Sequence, residues 1–517
     1  MNSTDQDNMA DAIWACNTLE KASSILSSRR PLRLQNFVSG NFHTPSASSS
    51  SPDIGYIDSY EPKTGKLLAR VPCTQPDGVE TAIRAAQDAF PAWSKTPRSE
   101  RSRYLRRVSE LLQEHRELFA VWESIDQGKT LARARVEVDR AIANFAYFST
   151  YILHEQTAAR TVDGVALTYE HRSPAGVFAL ISPWNMPLYL LTWKIAPCLA
   201  FGCTAVAKPS EVTSISAFLL AALFQKAGLP SGVINIIFGD GPTTGAALVA
   251  SALVNGVSFT GGTQTGIAIR RSTASHIYKH MSLELGGKNP TLVFADAMAE
   301  DKRERTVSLA ATAAFENQGE ICLCGSRIYV EKAVYSDFVL EFTEHVRKTW
   351  VVEVNVGAVV SRQHYDKIRG YLKLADQEGV KFNLGGVPPE LSDHDDASGY
   401  WIIPTVLTEA PSDSALVREE IFGPVVTISP FEDENDAVRL ANDSDYGLAA
   451  IVVTADGGRM RRVSERLETG LVWVNSWLVR ELGTPFGGVK NSGVGREGGE
   501  YSRDVFTVVK TVHLPSF

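Results

Sequence analysis

Val177-Phe178-Ala179-Leu180-Ile181 is an unbroken apolar run, and Ser182-Pro183-Trp184-Asn185-Met186-Pro187 breaks it into a turn. Helical spacing follows within Leu188–Cys198, and the same order then repeats. Thr204–Ala207 leads into a helix over Ile215–Ala227, ended by Gly228 and Pro230. Val233–Phe238 leads through Gly239 into Thr244–Leu253, and Val257–Phe259 leads through Gly261-Gly262 into another helix. Short apolar strands alternating with helices are βαβ units, so this part of the chain is a parallel sheet covered on both faces. That is the nucleotide-binding kind of α/β domain.

Outward from it the period changes. Upstream, Val79, Ala82, Ile83, Ala86 and Phe90 fall at helical spacing, as do Tyr104, Val108, Leu111 and Leu112, and a third helical stretch runs from about Leu131 to Leu153. Short extended pieces lie at Ile54–Tyr60, Leu67–Val71 and Val165–Glu170. Residues 1–35 read as an extension and Ser46–Ser51 as a low-complexity loop. Downstream, Thr291–Phe294, a helix ending at Phe315, a strand near Ile328–Val330 and the helix Tyr335–Arg347 make a second α/β unit. Gly385–Asp395 is a loop, Val425–Ser429 and Ala449–Val453 are strands, and Val505–Leu514 alternates like an exposed strand in need of a partner, from another subunit for instance.

Composition narrows the class. At 517 residues, two or three domains are expected. A net charge of −8 argues against nucleic acid or an anionic membrane as the main partner. Six cysteines are too few for a disulfide framework and suggest a reducing compartment. Cys322 and Cys324 have no second Cys/His pair at zinc-ligand spacing, so no metal is expected. No apolar run is long enough to span a bilayer. Asp5, Asp7, Asp11 and Glu20 suit neither a transit peptide nor a secretory core, and Leu514-Pro515-Ser516-Phe517 is no peroxisomal address. Cytosol is the expected compartment.

In open α/β sheets ligands bind beyond the carboxyl ends of the strands, which directs attention to the loops there. Gly239-Asp240-Gly241-Pro242-Thr243-Thr244-Gly245 and Phe259-Thr260-Gly261-Gly262 each open a helix and could present bare N–H groups to a pyrophosphate, although glycine also serves plain turns. Glu211, in Lys208-Pro209-Ser210-Glu211, is placed to accept from ribose hydroxyls, which favours NAD over NADP; a first-turn helix acid is the ordinary alternative. Glu284 lies between two leucines, where a carboxyl tends to a raised pKa and could act as a base; a solvated or salt-bridged glutamate is the commoner case. Asn185 could aim its amide at a developing oxyanion, or simply form a turn. The tight stretch Asn317-Gln318-Gly319-Glu320-Ile321-Cys322-Leu323-Cys324-Gly325-Ser326-Arg327 carries two thiols, either of which suits a nucleophile or a packing residue.

Taken in order, Pro183-Trp184-Asn185, Lys208-Pro209-Ser210-Glu211, Phe259-Thr260-Gly261, Leu283-Glu284-Leu285-Gly286-Gly287-Lys288, Asn317-Gln318-Gly319 with Cys322, Glu420-Ile421-Phe422-Gly423-Pro424 and Pro485-Phe486-Gly487-Gly488 resemble the NAD(P)-dependent aldehyde dehydrogenase superfamily, from about residue 35 to the end. The resemblance implies an extension over 1–34, an NAD-binding domain over 35–155 and 174–282, a catalytic domain over 283–490, and a small β oligomerisation element over 156–173 and 491–517, in a homodimer or homotetramer. It selects Cys322 as the nucleophile, Asn185 with the Cys322 N–H as the oxyanion site, and Glu284 as the base that activates water on the thioester. Trp184, Lys208, Glu211, Gly241, Gly245, Gly261, Gly262, Glu420 and Phe422 become the expected NAD contacts. The chain departs from the family at Gly262 and Gln264, where Ser and Glu are frequent. It departs also at Trp350–Gly357, which is several residues shorter than usual and lacks a Gly-Asp-Pro loop; weaker cofactor binding or folding is the expectation there.

Within the superfamily, Glu320-Ile321-Cys322-Leu323-Cys324, Leu188–Lys194 and Trp477-Leu478-Val479-Arg480-Glu481-Leu482 look most like the 2-aminomuconate 6-semialdehyde dehydrogenase branch, which acts in tryptophan breakdown through kynurenine. The implied substrate is a semialdehyde with a carboxylate at its far end, such as 2-aminomuconate 6-semialdehyde or 2-hydroxymuconate semialdehyde. Arg480 and Arg140 match the arginines that would hold that carboxylate, a task for a planar, bidentate cation; Arg140 could equally be a helix-surface residue. The competing readings are a dehydrogenase for another aldehyde in a secondary-metabolite pathway, and a catalytically silent protein that keeps the fold for binding or structure.

Overall fold

A computed structural model describes residues 13–29, 31–44, 55–391 and 398–515. The serine-rich loop at 46–51, the first residues of the extension and the end of the loop at 385–395 lie outside the described residues.

Three of the five sheets among the described residues organise the chain. The first runs in the order Gly493–Val494, His280–Glu284, Gly256–Thr260, Val177–Ile181, Thr204–Lys208, Ile234–Ile236, Asn36–Val38, Asn41–His43. Its five middle strands are parallel, and the strand Val177–Ile181 pairs Thr204–Lys208 on one side and Gly256–Thr260 on the other. The strand order therefore reverses beside Val177–Ile181, and the crevice beyond the strand ends there is the expected ligand site. Every residue of these three strands is buried, as an apolar run with helices on both faces requires.

The second sheet runs Lys381–Leu384, Thr405–Thr408, Val425–Phe431, Arg327–Glu331, Pro290–Val293, Ala449–Val453, Leu471–Val474, parallel except for the first. The third is antiparallel: Thr507–Pro515 pairs Ala166–Pro174, which pairs Ala159–Val162. The C-terminal strand thus finds its partner inside the chain, in register from Thr507 opposite Pro174 to Pro515 opposite Ala166.

Three local expectations change. The helix expected over Thr244–Leu253 is a wide turn, Gly241–Gly245, followed by the short helix Ala246–Ala250. A helix over Arg116–Gln127 was not anticipated. The described part of the N-terminal extension is docked: Ile13, Cys16, Ala22 and Leu26 are buried in the main core, and Trp14 meets His115 edge-on at 4.8 Å. The shortened segment closes on itself, Val356 N–H donating to Val351 O at 3.1 Å, and Val360 and Ser361 beyond it line the crevice.

Candidate active site

The thiol loop leaves the helix Arg303–Phe315 with Asn317, Gln318 and Gly319 all at positive φ (54°, 47° and 73°). Two non-glycine residues in that region cost about 1–3 kcal/mol each, so the surroundings must hold them. They do. Gln318 Nε2 donates to Glu320 Oε2 at 3.0 Å and to Ala358 O at 3.3 Å, and Asn317 Nδ2 donates to Asn185 O at 3.3 Å. Gly319 backs onto Gly423, where a side chain would strike the carbonyl. Asn289 Nδ2 donates to the carbonyls of Cys322 (2.7 Å) and Cys324 (2.9 Å), while its Oδ1 accepts from Ala449 N. At about 1 kcal/mol net for each buried hydrogen bond, this set offsets the strain and gives the thiols one geometry.

The two thiols are then distinguished by place. Cys322 lines both cavities of the site, and Cys324 lines neither. Burial, with Glu420 and Glu284 adding to it, holds the Cys322 thiol far above its ordinary range, and burial pushes Cys324 up to about 12. A thiol held so high rests neutral, and to act as a nucleophile it would have to give up its proton.

Asn185 is buried in the turn between the strand Val177–Ile181 and the helix Pro187–Ala200, and its Nδ2 donates to Glu320 O at 2.7 Å. Glu284 ends the strand His280–Glu284, is 4% exposed, and neither carboxylate oxygen has a hydrogen-bond partner among protein groups. Burial first and the charge of Glu497 second hold its carboxyl well above the usual range, against the pull of Lys194, Arg496 and Arg480. An acid so placed gains its charge late and gives up little hydrogen bonding when it moves, which suits a base.

Glu497 and Lys194 escaped the sequence reading. Glu497 accepts from Trp193 Nε1 (2.6 Å), Ser282 Oγ (3.0 Å), Ser258 Oγ (3.1 Å) and Lys194 Nζ (3.3 Å). The signal was a single lysine in the otherwise uncharged helix Pro187–Ala200, buried throughout, since a buried ammonium requires an acid.

The larger cavity, about 480 Å³, lies in the crevice and is walled by Trp184, Glu211, Gly261, Gly262, Gly286, Cys322, His364, Glu420 and Phe422 among others. Phe422, at φ 62°, meets Trp184 edge-on at 5.2 Å, and its carbonyl accepts from His364 Nε2 at 2.7 Å. Burial pushes the His364 imidazole down to about 3, so it stays neutral. Glu420 Oε1 accepts from Gly287 N at 2.8 Å, and burial raises its carboxyl. Lys208 Nζ sits 3.6 Å from Glu211 Oε2, just behind the wall. The helix Thr263–Thr273 starts at Gly262 with no side-chain cap and with open space around that glycine, which fits a pyrophosphate. These residues suit a dinucleotide. Gly241 and Gly245 are not in the wall: Asp240 already occupies their turn, its carboxylate accepting from Thr243 N (2.7 Å) and Thr244 N (3.3 Å).

On the other side of Cys322 is a narrow space of about 30 Å³, shared by Arg133, Arg140, Tyr189, Trp193, Glu284, Arg480 and Phe486. The Arg480 guanidinium lies 4.1 Å over Trp193 and 4.2 Å over Phe486, and donates through Nη1 to Tyr189 Oη. Its Nη2 is buried with no acceptor among protein groups. Arg140 stands over the same Tyr189 ring at 5.6 Å. The two expected arginines are therefore brought together. Arg133, which the sequence reading passed over, joins them, 3.4 Å from Glu316.

A thiol set between a dinucleotide-shaped crevice and a small cationic cavity defines a thiol-dependent oxidoreductase site. The family model described as "Aldehyde dehydrogenase family" matches residues 49–512, and the chain belongs to that family. It is 46% identical over 490 residues to the 2-aminomuconic semialdehyde dehydrogenase of Homo sapiens, covering 93% of this chain and 98% of that one. Among solved structures it is similar to HpcC from Thermus thermophilus, with TM-score 0.89, 40% identity, and 96% and 95% of the two chains covered. It is similar also to an NAD+ complex of aldehyde dehydrogenase from Bacillus cereus, with TM-score 0.88, 33% identity, and 96% and 99% covered.

Proposed function

We propose that this aldehyde dehydrogenase uses NAD to oxidise a carboxylate-bearing semialdehyde of the muconate type, such as 2-aminomuconate 6-semialdehyde or 2-hydroxymuconate semialdehyde, to the dicarboxylic acid. The observation that carries it is the small cavity against Cys322, where Arg480 keeps a buried nitrogen without an acceptor and Arg140 shares its tyrosine. A buried guanidinium in that state calls for an anion, and a carboxylate fits it bidentately. Tyr189, Trp193 and Phe486 supply flat apolar walls for a conjugated chain.

The chain's own groups account for the chemistry. The Cys322 sulfur adds to the aldehyde carbon as its proton passes to water in the crevice. The new oxyanion takes the Asn185 amide, which leaves Glu320 O, together with the Cys322 N–H. Trp184, Glu211, Gly261, Gly262, Glu420 and Phe422, with Lys208 behind them, would hold NAD, which would supply the hydride acceptor by which the Cys322 adduct becomes a thioester. Glu284 then takes a proton from water, the water oxygen bonds to the acyl carbon, and the carbon–sulfur bond breaks to restore the thiol. A carboxylate at 211 disfavours a 2′-phosphate, hence NAD rather than NADP.

The reading includes a homo-oligomer, dimer or tetramer, built through the third sheet, where Val162, Val165, Leu167, Val508, Val509 and Leu514 are exposed. It places the enzyme in the cytosol, in keeping with six free cysteines. Among the described residues no helix is long and apolar enough to cross a membrane and no acid, histidine or cysteine cluster could hold a metal. The test is NADH formation with 2-hydroxymuconate semialdehyde beside an uncharged aliphatic aldehyde. The semialdehyde is expected to give the higher kcat/KM; equal values retire the carboxylate reading, and no turnover of any aldehyde despite NAD binding retires the enzymatic one.

A further inference from the structure

The helices Arg116–Gln127 and Leu131–Tyr151 are joined by Gly128-Lys129-Thr130, a connection that lines neither cavity of the site. Gly128 stands at φ 93°, and a side chain there would come 2.6 Å from Ala358 O, so the connection is pressed against the 357–360 segment. Lys129 is fully buried. Its Nζ donates to Glu137 Oε2 and, at 3.0 Å, to the backbone oxygen of Asn185, with Glu123 Oε2 at 3.8 Å. Both acids also hold the start of the next helix: Glu123 Oε1 accepts from Leu188 N (3.2 Å) and Glu137 Oε1 from Tyr189 N (3.4 Å). Burial first and the charge of Glu137 second hold the Glu123 carboxyl well above its usual range.

The same connection grips the thiol loop. Gln127 Nε2 donates to Glu320 Oε2 at 2.6 Å, and Gln127 Oε1 accepts from Lys129 N at 3.1 Å. Asn185 and the loop that its amide touches are thus referred to one rigid element. Helix capping alone would need only the acids. The ammonium does something more: it fixes a single carbonyl, the one belonging to the oxyanion donor.

We propose that Lys129 is a positioning residue, its buried ammonium fixing the Asn185 backbone so that the side-chain amide stays aimed at the Cys322 loop. The proposal rests on the reading of Asn185 as the oxyanion donor. Small displacements of such a donor cost rate rather than substrate affinity.

The experiment is a double-mutant cycle of Lys129→Met and Asn185→Ala, read as kcat and KM for aldehyde and NAD, with the thermal midpoint alongside. Asn185→Ala is expected to lower kcat about 10²- to 10³-fold. Lys129→Met is expected to lower it about 10- to 100-fold with KM for NAD little changed. The double variant should be no slower than Asn185→Ala alone. Independent, multiplying losses overturn the proposal and leave the oxyanion reading standing; an Asn185→Ala enzyme of wild-type kcat retires that reading instead. Because Lys129→Met leaves Glu137 buried without its cation, Lys129→Met/Glu137→Gln is measured as well, and replaces the single variant in the cycle if that does not fold. Its thermal midpoint should recover towards wild type while kcat stays low. If kcat returns together with the midpoint, the lysine is only structural and the proposal falls.

Discussion

The two cavities that meet at Cys322 are built on opposite plans. The crevice side, about 480 Å³, is made of backbone and glycine edges, two acids and a pair of crossed aromatic rings, Trp184 and Phe422. The far side, about 30 Å³, is narrower and is lined by three arginines and four aromatic side chains. The first plan suits a large, common ligand that must enter and leave. The second suits an anion-bearing ligand recognised by charge. Cys322 lines both, and its loop carries two non-glycine residues at positive φ held by buried amides.

Substitutions separate the two sides. Cys322→Ala, at the shared wall, should remove all measurable turnover while NAD binding, followed by fluorescence titration, remains. Glu284→Gln should lower kcat about 10²- to 10⁴-fold, with the first turnover of NADH still released rapidly, because only the water step needs the base. An equal loss in the first turnover would show that Glu284 also governs addition of the thiol. Arg480→Ala should reduce kcat/KM for the semialdehyde about 10- to 100-fold, the worth of a charge-assisted pair, while an uncharged aldehyde and the KM for NAD change far less. A loss common to both substrates would make the arginine a packing element over Trp193 and Phe486.

The smallest effect concerns pH. Glu284 must be deprotonated to take a proton from water, and its carboxyl is held above the ordinary range by burial and by Glu497, so deacylation slows as pH falls through that raised value. Glu497→Gln removes the repelling charge, and the acid limb of kcat should move to lower pH. A limb that stays in place would assign the titration to another group.

Much of this was legible in the sequence because apolar runs that end in turns reveal parallel strands, and ligands gather at their ends. Val177–Ile181 and Ala449–Val453 appear in the structure with the bounds expected of them. The helix Arg116–Gln127 was not legible for the opposite reason: from Leu118 to Gln127 every residue is buried, polar ones included, so no amphipathic period survives. Glu123, Asp126 and Gln127 are tolerated there by partners far along the chain, Leu188, Ile215 and Glu320, which no local pattern announces. Glu497 and Lys194 stand about 300 residues apart and become one unit only when the C-terminal segment adds the strand Gly493–Val494 to the first sheet. The glycines at 241 and 245 lie outside the crevice wall. Their spacing suggested a phosphate turn, but Asp240 fills it with its own carboxylate.

The central claim is that one of two neighbouring thiols carries the acyl group between the cavities. Rapid acid quenching of Glu284→Gln after mixing with NAD and 2-hydroxymuconate semialdehyde, followed by peptide fragmentation in a mass spectrometer, locates that group. The account predicts one acyl adduct for each active site, on Cys322, formed as fast as the NADH burst. An adduct on Cys324, or a burst of NADH with no acylated cysteine, would contradict it.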